Sequence, residues 1–434
     1  MHTGAERKEA AKLPAPGAAS RKKFFPTRLH TGAERKLSYL IFKKCCSPER
    51  KRSSGLFLHQ KEDSMEEDIR YMRMAIELAE RGRGWTNPNP VVGAVVVKEG
   101  KIIGEGFHER YGELHAERNA LADCRKRGEN PETATIYVTL EPCCHYGKTP
   151  PCTEAIIEAG IKRVVVGAKD TNPLVGGKGI ALLREHGIEV TESVLEEECR
   201  KQNRIFFHYI ENKTPYVVMK YAMTLDGKIA TASGKSRWIT GEKARMHVHN
   251  LRHELMGIMV GVGTVLTDNP SLNCRLHCSL QGKKNPIRII CDSALRTPFE
   301  SRVVQTAGEQ KTILACLAQE AEKKKLYEEA GCEIIELPEK DGHMDLKALM
   351  RELGSRGVDS ILLEGGGTLN DSALQSGIVH EVHAYIAPKI FGGAEAKTPV
   401  MGQGIDTPAE AFQLEDIRLE QLGEDILLVG TCRK

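Results

Sequence analysis

The chain has 434 residues, of which 40% are hydrophobic, and this is enough material for two domains with separate cores. No apolar run reaches the roughly 18 residues that a membrane-spanning helix needs, so we expect no membrane partner. The net charge of +3 conceals an acidic body, because residues 1–64 carry fifteen Lys/Arg and six Asp/Glu, which leaves −6 for residues 65–434. An acidic body disfavours a nucleic-acid partner. Thirteen cysteines without regular spacing predict a reducing, cytoplasmic setting.

Residues 1–64 are predicted to be a disordered or spuriously translated extension. They lack sustained apolar periodicity and are rich in Lys, Arg, Ala, Pro and Ser. A targeting peptide and a nucleic-acid-binding tail are alternatives, although six acidic residues argue against a transit peptide. We favour Met65 as the true start, because residues 61–63 can be encoded by a purine-rich ribosome-binding stretch. Order is then predicted to begin at a capping box, Ser64-x-x-Glu67.

Residues 65–211 alternate between helical and strand patterns, which predicts an α/β domain with helices on both faces of a sheet. The predicted strands are 91–97, 102–107, 135–140, 163–167 and 188–191. The predicted helices begin at Ser64, His115, Cys152, Gly179 and Leu195, and the last of them is expected to continue to Tyr209.

Residues 212–434 are predicted to form a second α/β domain, with the boundary at Asn212-Lys213-Thr214-Pro215. The predicted strands are 216–223, 257–261, 287–291, 312–315, 333–337, 360–363 and 381–386. The predicted helices are 242–252, 318–330, 346–353 and 368–375.

The stretch from His115 to Cys152 carries the residues of a metal site. His115 and Glu117 open a helix, and Cys143 and Cys152 lie in and after the loop that follows the strand 135–140. One imidazole and two thiolates are the three protein ligands of a catalytic zinc, which lowers the pKa of a bound water to about 7. Glu117 is placed to shuttle protons, as the carboxylate of a zinc deaminase does.

A closed, structural zinc site is the alternative, because Cys144 and His145 supply spare ligands. Structural sites favour short paired cysteine spacings, whereas eight residues separate Cys143 from Cys152. The first ligand also stands on a helix beside a carboxylate. We therefore favour a catalytic site.

A second candidate site follows the predicted strand 360–363, where three glycines (365–367) lead into a helix at Thr368. Glycines let the backbone approach a phosphate, and a helix N-terminus favours anions. A tight turn without a ligand is the alternative, and the pattern is not the Rossmann fingerprint. Arg252 and Arg275 could clamp a substrate phosphate, although surface arginines are usually only solvated.

In combination, these motifs resemble the bifunctional deaminase–reductase family of riboflavin biosynthesis. The segments that match the deaminase part are 87–94, 115–117 and 141–152. The segments that match the reductase part are Lys220, 225–230, 236–240, 261–270 and 364–366. The resemblance covers about residues 65 to 430 and does not extend to residues 1–64.

The resemblance implies a cytidine-deaminase-like three-layer domain (65–211) and a dihydrofolate-reductase-like α/β domain (212–434). It implies zinc-dependent hydrolytic deamination of 2,5-diamino-6-(5-phosphoribosylamino)pyrimidin-4-one, followed by NADPH-dependent reduction of the ribosyl group to ribityl phosphate. One Zn²⁺ per chain would belong to the first domain and NADPH to the second. The partner would be this phosphoribosylated pyrimidine, without nucleic acid or membrane, and the enzyme would be a cytoplasmic homo-oligomer.

The resemblance also implies residue roles. The zinc ligands would be His115, Cys143 and Cys152, with Glu117 as the catalytic proton shuttle. The residues that hold the deaminase substrate would be Asn89, His108, His145 and Lys148. The residues that contact the cofactor would be Trp238, Thr264, Asp268, Ser293, Gly365, Gly366, Gly367 and Thr368. The residues that contact the reductase substrate would be Ser236, Arg252, Leu272, Arg275 and Glu364.

Two local assignments and the function have alternatives. Cys144 stands where the family often has Ser, and we expect it to point away from the metal because adjacent residues in an extended turn face opposite ways. Lys220 and Asp226 could assist protonation or pair with each other. The rival functions are a nucleic-acid base deaminase fused to an inert binding domain, which the acidic body disfavours, and a non-catalytic zinc-binding scaffold.

Overall fold

The computed structural model describes residues 48–147, 150–172, 176–276 and 284–433, with side chains from Ser64 onward. The chain divides into two compact units, Met1–Asp63 and Ser64–Lys434. The predictions for residues 1–47 lie outside the described residues. Within the described part, no helix has the length and apolar character needed to cross a bilayer.

The first described helix runs from Pro48 to Glu80 and passes through Ser64. The prediction that order begins with a capping box at Ser64 is therefore wrong. Residues 48–63 begin with proline, which favours the first helical position, and contain many long unbranched residues that favour a helix. Met72 and Ala79 are fully buried and form part of the helix face that packs on the sheet.

The first sheet contains the strands β1 (Gly93–Lys98), β2 (Lys101–Phe107), β3 (Thr135–Leu140), β4 (Arg163–Ala168) and β5 (Glu189–Thr191). Their order across the sheet is β2-β1-β3-β4-β5 among the described residues. β1 runs antiparallel to β2 and β3, whereas β3, β4 and β5 are parallel. All five predicted strands of this region are confirmed, with ends that differ by one or two residues.

The helices that accompany this sheet are Ala116–Lys126, Cys152–Glu158, Lys178–Glu185, Glu196–Gln202 and Arg204–Asn212. Their apolar faces pack with the buried strand residues in one core. β2 lies close to the helix Ala116–Lys126, since a Cβ at Gly106 would stand only 2.3 Å from the backbone nitrogen of Ala120. This close packing fixes the helix that carries His115 and Glu117.

The predicted helix from Leu195 to Tyr209 is two helices, and the single-helix prediction is wrong. The chain breaks at Asn203, whose φ and ψ are −105° and 23°. The Asn203 side chain accepts a hydrogen bond from Val91 N and donates one to Val91 O, both at 2.9 Å. These two bonds satisfy backbone groups of Val91, just before β1. They stabilise the break at Asn203 more than the backbone hydrogen bonds of a continuous helix would.

The second sheet contains the strands β6 (Tyr216–Thr224), β7 (Gly257–Gly261), β8 (Ile287–Cys291), β9 (Thr312–Cys316), β10 (Glu333–Glu336), β13 (Ser360–Leu363), β14 (Glu381–Ala387), β15 (Leu414–Leu422) and β16 (Asp425–Cys432). In the described residues the order is β10-β9-β8-β7-β13-β6-β14-β16-β15. In this described sheet β16 runs opposite to the other eight strands, and it pairs antiparallel with both β14 and β15. The short strands β11 (Glu339–Lys340) and β12 (His343–Met344) form a separate hairpin.

The helices of this part are Glu242–Glu254, Val262–Asp268, Arg302–Gln305, Ala321–Glu329, Leu346–Ser355 and Gly367–Gln375, and Pro408–Glu410 is a 3₁₀ turn. The predicted strands and helices are present. The sequence analysis missed the hairpins β11–β12 and β15–β16 and the short helices Val262–Asp268 and Arg302–Gln305. The carboxyl ends of the parallel strands share one edge of the sheet, where ligands bind in open α/β sheets.

Candidate active sites

Three potential metal ligands meet beside the first sheet. The Nδ1 atom of His115 lies 3.5 Å from the Sγ atom of Cys143 and 3.4 Å from that of Cys152. Zinc ligands about 2.1 Å (N) and 2.3 Å (S) from one tetrahedral centre would be separated by about 3.6 Å. The three side chains therefore fit a zinc ion, and all three ligand atoms lie within 4.8 Å of one another.

Local structure brings the ligands together. His115 is the N-cap of the helix Ala116–Lys126, and Cys152 is the first residue of its own helix, as the sequence predicted. The backbone nitrogen of Cys152 donates to the sulfur of Cys143 at 3.3 Å. Arg118 donates to the carbonyl oxygens of Pro150 and Pro151 at 3.1 and 2.8 Å, which ties the cysteine loop to the histidine helix.

The electrostatics of this cluster favour a bound cation. Hydrogen bonds from Cys152 and His115 lower the pKa of Cys143 to about 4, against the effect of burial. Burial, assisted by the Cys143 thiolate, raises the pKa of Glu117 to about 7. Cys144 is not part of the three-ligand group, and burial raises the pKa of its thiol.

A cavity of about 260 Å³ opens onto the cluster and is lined by His115, Glu117 and Cys143. The predicted substrate residues Asn89, His108 and His145 also line it, whereas Lys148 lies outside the described residues.

The tautomer of His108 follows from its contacts. Burial lowers the pKa of His108, so that the ring is neutral near pH 7. Its Nδ1 lies 3.0 Å from the carbonyl oxygen of Leu114, which can only accept a proton. The Nε2 atom is then an acceptor for the Asn89 amide at 3.3 Å. Asn89 therefore donates to His108, and its Oδ1 is the acceptor that it can offer to a ligand.

The sequence analysis did not assign a role to Glu141, which follows β3 and lines the cavity. Its buried carboxylate accepts hydrogen bonds from the backbone nitrogens of Gly177, Gly179, Ile180 and Asp170, at 3.0 to 3.4 Å. This carboxylate fixes the loop before the helix Lys178–Glu185 against the cysteine loop. Its position in the sequence, directly before Pro142-Cys143, was the available signal.

Asp170 and Asn172, which follow β4, were also missed. Both line the cavity, and burial raises the pKa of Asp170 to about 6. The pattern Asp170-Thr171-Asn172 after a buried parallel strand was the signal, because the carboxyl ends of β3 and β4 are neighbours.

A second cavity of about 590 Å³ lies at the carboxyl ends of the strands of the second sheet. The predicted cofactor and substrate residues that line it are Ser236, Thr264, Asp268, Ser293, Glu364, Gly366, Gly367 and Thr368. The glycine loop precedes the helix Gly367–Gln375, as predicted. Gly365 is buried and does not line the cavity, and its carbonyl oxygen accepts a hydrogen bond from Gly261 N at 2.8 Å.

Glu364 has a buried side chain beside two cations. Arg252 binds it through two hydrogen bonds of 2.7 and 2.8 Å, and the Lys220 ammonium lies 3.9 Å away. Burial alone would raise the pKa of Glu364, but Arg252 and Lys220 lower it to about 2. Arg252 also donates to the carbonyl oxygen of Asn273 at 3.0 Å, so its guanidinium is occupied by protein groups.

The predicted alternative that Lys220 pairs with Asp226 is wrong. Asp226 accepts hydrogen bonds from the backbone nitrogens of Phe391 and Gly392, at 3.1 and 2.7 Å. These bonds, with one from Thr224, lower the pKa of Asp226 to about 2. Asp226 therefore holds a loop, whereas Lys220 pairs with Glu364.

Three further predicted residues are not among the cavity-lining residues. Trp238 is 63% exposed and has the Arg245 guanidinium 4.6 Å from its ring centre. The Leu272 side chain packs in the core, so any contact with a ligand is left to its backbone. Arg275 donates to the Oδ1 atom of Asn273 at 3.2 Å.

Each half of the chain matches a known protein family. Residues 65–168 match the cytidine and deoxycytidylate deaminase zinc-binding region, and residues 215–428 match the RibD C-terminal domain. The riboflavin biosynthesis protein RibD of Actinobacillus pleuropneumoniae is 53% identical over 361 residues, which cover 83% of this chain and 94% of that protein. RibD of Escherichia coli is 40% identical over 371 residues, which cover 83% and 98%.

Solved structures give the same result. A structure of Acinetobacter baumannii RibD has a TM-score of 0.77 at 35% identity and covers 85% of this chain and 100% of that one. A deaminase/reductase from Thermotoga maritima has a TM-score of 0.74 at 40% identity, with the same coverage. That protein is described as a diaminohydroxyphosphoribosylaminopyrimidine deaminase/5-amino-6-(5-phosphoribosylamino)uracil reductase.

Fold, sites and comparisons together define a bifunctional enzyme, with a zinc-binding deaminase domain followed by an NADPH-dependent reductase domain. The chain belongs to the RibD family and is an enzyme of riboflavin biosynthesis. The resemblance identified from the sequence motifs is confirmed, as is the expected pair of cofactors.

Proposed function

We propose that the first site deaminates 2,5-diamino-6-(5-phosphoribosylamino)pyrimidin-4-one and that the second reduces the ribosyl group of the product. The observation that carries the proposal is the presence in one chain of two unlike cavities. One contains a His/Cys/Cys group beside a buried carboxylate, and the other lies on a glycine loop at a helix start. The two reactions named for the Thermotoga maritima relative correspond to these two cavities.

In the deaminase site we assign His115, Cys143 and Cys152 as the zinc ligands. These three side chains would hold a zinc ion, which when bound would supply an activated water near neutral pH. Glu117 carries the protons in this proposal, because its buried carboxyl lines the same cavity as His115 and Cys143. Water replaces the amino group, which leaves as ammonia.

Asn89, neutral His108 and His145 hold the pyrimidine at the cavity wall in this proposal, and Lys148 supplies a positive charge for the phosphate. Asp170 and Asn172 extend the same wall. We add both residues to the substrate site.

In the reductase site, the loop Gly365–Thr368 receives the cofactor pyrophosphate at the start of the helix Gly367–Gln375. NADPH, when bound, supplies the hydride that reduces the sugar carbon. Glu364 and Ser236 face the cavity and contact the substrate in this proposal, with Arg252 and Lys220 holding the Glu364 carboxylate. The remaining predicted contacts, from Trp238, Thr264, Asp268, Leu272, Ser293 and Arg275, stay predictions.

We place the domain boundary between residues 211 and 212, where the helix Arg204–Asn212 ends before β6. We also propose a cytoplasmic homo-oligomer. Ten cysteines among the described residues are unpaired, which suits a reducing compartment.

The test is incubation of the full chain with the diaminopyrimidine nucleotide, with and without NADPH, followed by identification of the products by mass. Without NADPH, the product should have exchanged an NH group for oxygen. With NADPH, it should also have gained two hydrogen atoms. Deamination of free cytidine or of a DNA cytosine in place of this nucleotide would contradict the proposal.

A further inference from the structure

The lining of the second cavity includes a cationic residue, Arg296, to which no role has been assigned so far. Arg296 lies in the turn after β8, lines the cavity together with Ser293, and is exposed. Among the described side chains (residues 64–147, 150–172, 176–276 and 284–433), none forms an ion pair or a side-chain hydrogen bond with its guanidinium. An arginine that faces a ligand cavity without a protein partner can receive an anion.

The turn that presents Arg296 is fixed by the core. Leu295 is 2% exposed and has a φ of +48°, so its side chain anchors a tight left-handed turn. Tyr327 donates to the carbonyl oxygens of Leu295 and Thr297 at 3.2 and 2.7 Å. Lys323 donates to the carbonyl oxygen of Ala294 at 2.7 Å. The side chain of Arg296 therefore projects from a rigid support.

The acidic residue at the end of β8 is turned away from the cavity. Asp292 is fully buried, and its Oδ2 accepts hydrogen bonds from the nitrogen and hydroxyl of Thr297, at 2.6 and 2.7 Å. In dinucleotide sites, a carboxylate at a strand end accepts the adenosine 2′-hydroxyl of NADH, whereas an arginine accommodates the 2′-phosphate of NADPH. Here the Asp292 carboxylate is buried, bound to Thr297 through Oδ2 and absent from the cavity lining, whereas Arg296 is exposed and lines the cavity.

The position of Arg296 along the cavity agrees with an adenosine subsite. The glycine loop after β13 offers the helix start for the pyrophosphate, and Glu364 marks the substrate end. β8 lies beyond β7, on the side of β13 away from β6. The Ser293–Arg296 turn therefore lies on the side of the glycine loop away from β6, where its residues would hold the adenosine half of a dinucleotide.

We propose that Arg296, assisted by the Ser293 hydroxyl, binds the adenosine 2′-phosphate and so selects NADPH over NADH. This inference rests on the proposed function of the reductase site. Asp268 also lines this cavity, and the Arg296 guanidinium would offset the repulsion between its carboxylate and a phosphate. Arg296 is thus a specificity-determining residue.

The test compares Arg296→Gln with the wild type in steady-state assays with NADPH and with NADH. The KM for NADPH should rise about ten- to a hundredfold, as for the loss of a charge-assisted contact, while the KM for NADH stays within about twofold. Adenosine 2′,5′-bisphosphate should lose affinity for the variant to the same extent, whereas AMP should bind both proteins equally. The matched control is Arg302→Gln, because Arg302 is exposed and does not line the cavity. This variant should change the KM for neither cofactor.

Equal changes with both cofactors, or an unchanged KM for NADPH, would overturn the assignment of Arg296. Failure of the wild type to oxidise either nicotinamide with the deaminated nucleotide would instead overturn the proposed reductase function. The bisphosphate measurement requires no turnover and therefore separates the two failures.

Discussion

At the residue scale, the structure separates the two adjacent cysteines whose roles the sequence left open. Cys143 stands 3.5 Å from His115 with its pKa lowered to about 4, whereas Cys144 lies outside the ligand group. The direction of a turn decides which thiol faces the histidine, and residue types alone do not reveal it. The same limit applies to Glu141, whose role depends on the backbone nitrogens of Asp170, Gly177, Gly179 and Ile180.

Cys143→Ser should lose both zinc and deamination, because the remaining two ligands cannot hold the metal at neutral pH. Cys144→Ser is the matched control and should keep one zinc per chain and near-normal deamination. Metal analysis of the purified proteins measures the difference. Loss of zinc from the Cys144 variant would show that the site is shifted by one residue or closed by a fourth ligand.

Glu364→Gln should lower reductase kcat/KM by about ten- to a hundredfold, because it removes a carboxylate that receives charge-assisted hydrogen bonds and lines the cavity. Deamination should be unchanged. Glu300→Gln, an exposed residue outside the cavity, serves as the control in the same two assays. An unchanged reductase kcat/KM in the Glu364→Gln variant would show that Glu364 is not part of the substrate site.

At the element scale, strands and helices with strong apolar patterns were predictable, and elements defined by distant partners were not. β15 was missed because seven of its nine residues are exposed and four are charged, so its strand conformation depends on pairing with β16. The break at Asn203 was missed because it depends on hydrogen bonds to Val91, 112 residues earlier.

The contact between the helix Arg204–Asn212 and β14 gives an element-scale prediction. Arg204 binds Glu381 at 2.8 and 3.3 Å, and Glu381 is 2% exposed. Burial would raise the pKa of Glu381, but His383 and Arg204 lower it to about 2. A lowered folded-state pKa stabilises the protein above the unfolded value near 4.5, and this contribution is lost as the pH falls towards 2.

Glu381→Gln should therefore lower the free energy of unfolding by roughly 2 kcal/mol at pH 7. This is less than the loss of a fully buried ion pair costs, because Arg204 is partly exposed and solvent screens its charge. The difference from the wild type should shrink between pH 5 and pH 3. Thermal melts at several pH values measure it. Glu415→Gln removes an exposed ion pair with Arg433 and should have little effect. If the variant and the wild type differed in stability by the same amount at all pH values, Glu381 could not be ionised in the folded protein.

At the scale of the whole molecule, the order of two α/β halves and the nature of each site were predictable, because short motifs carry the chemistry. The sizes of the cavities were not predictable, nor was the pairing of Lys220 with Glu364 rather than Asp226. Both depend on strands brought together by the nine-stranded sheet, in which β6 and β13 are neighbours although 144 residues separate Tyr216 from Ser360.

The central claim is that one chain carries two separate active sites, and Glu117→Gln tests it most directly. The variant, checked for its zinc content and folding, is given the diaminopyrimidine nucleotide in one assay and the deaminated nucleotide with NADPH in another. We predict no ammonia release in the first assay and NADPH oxidation at the wild-type rate in the second, since Glu117 lines only the first cavity. Loss of both activities in a folded, zinc-loaded protein would contradict the account.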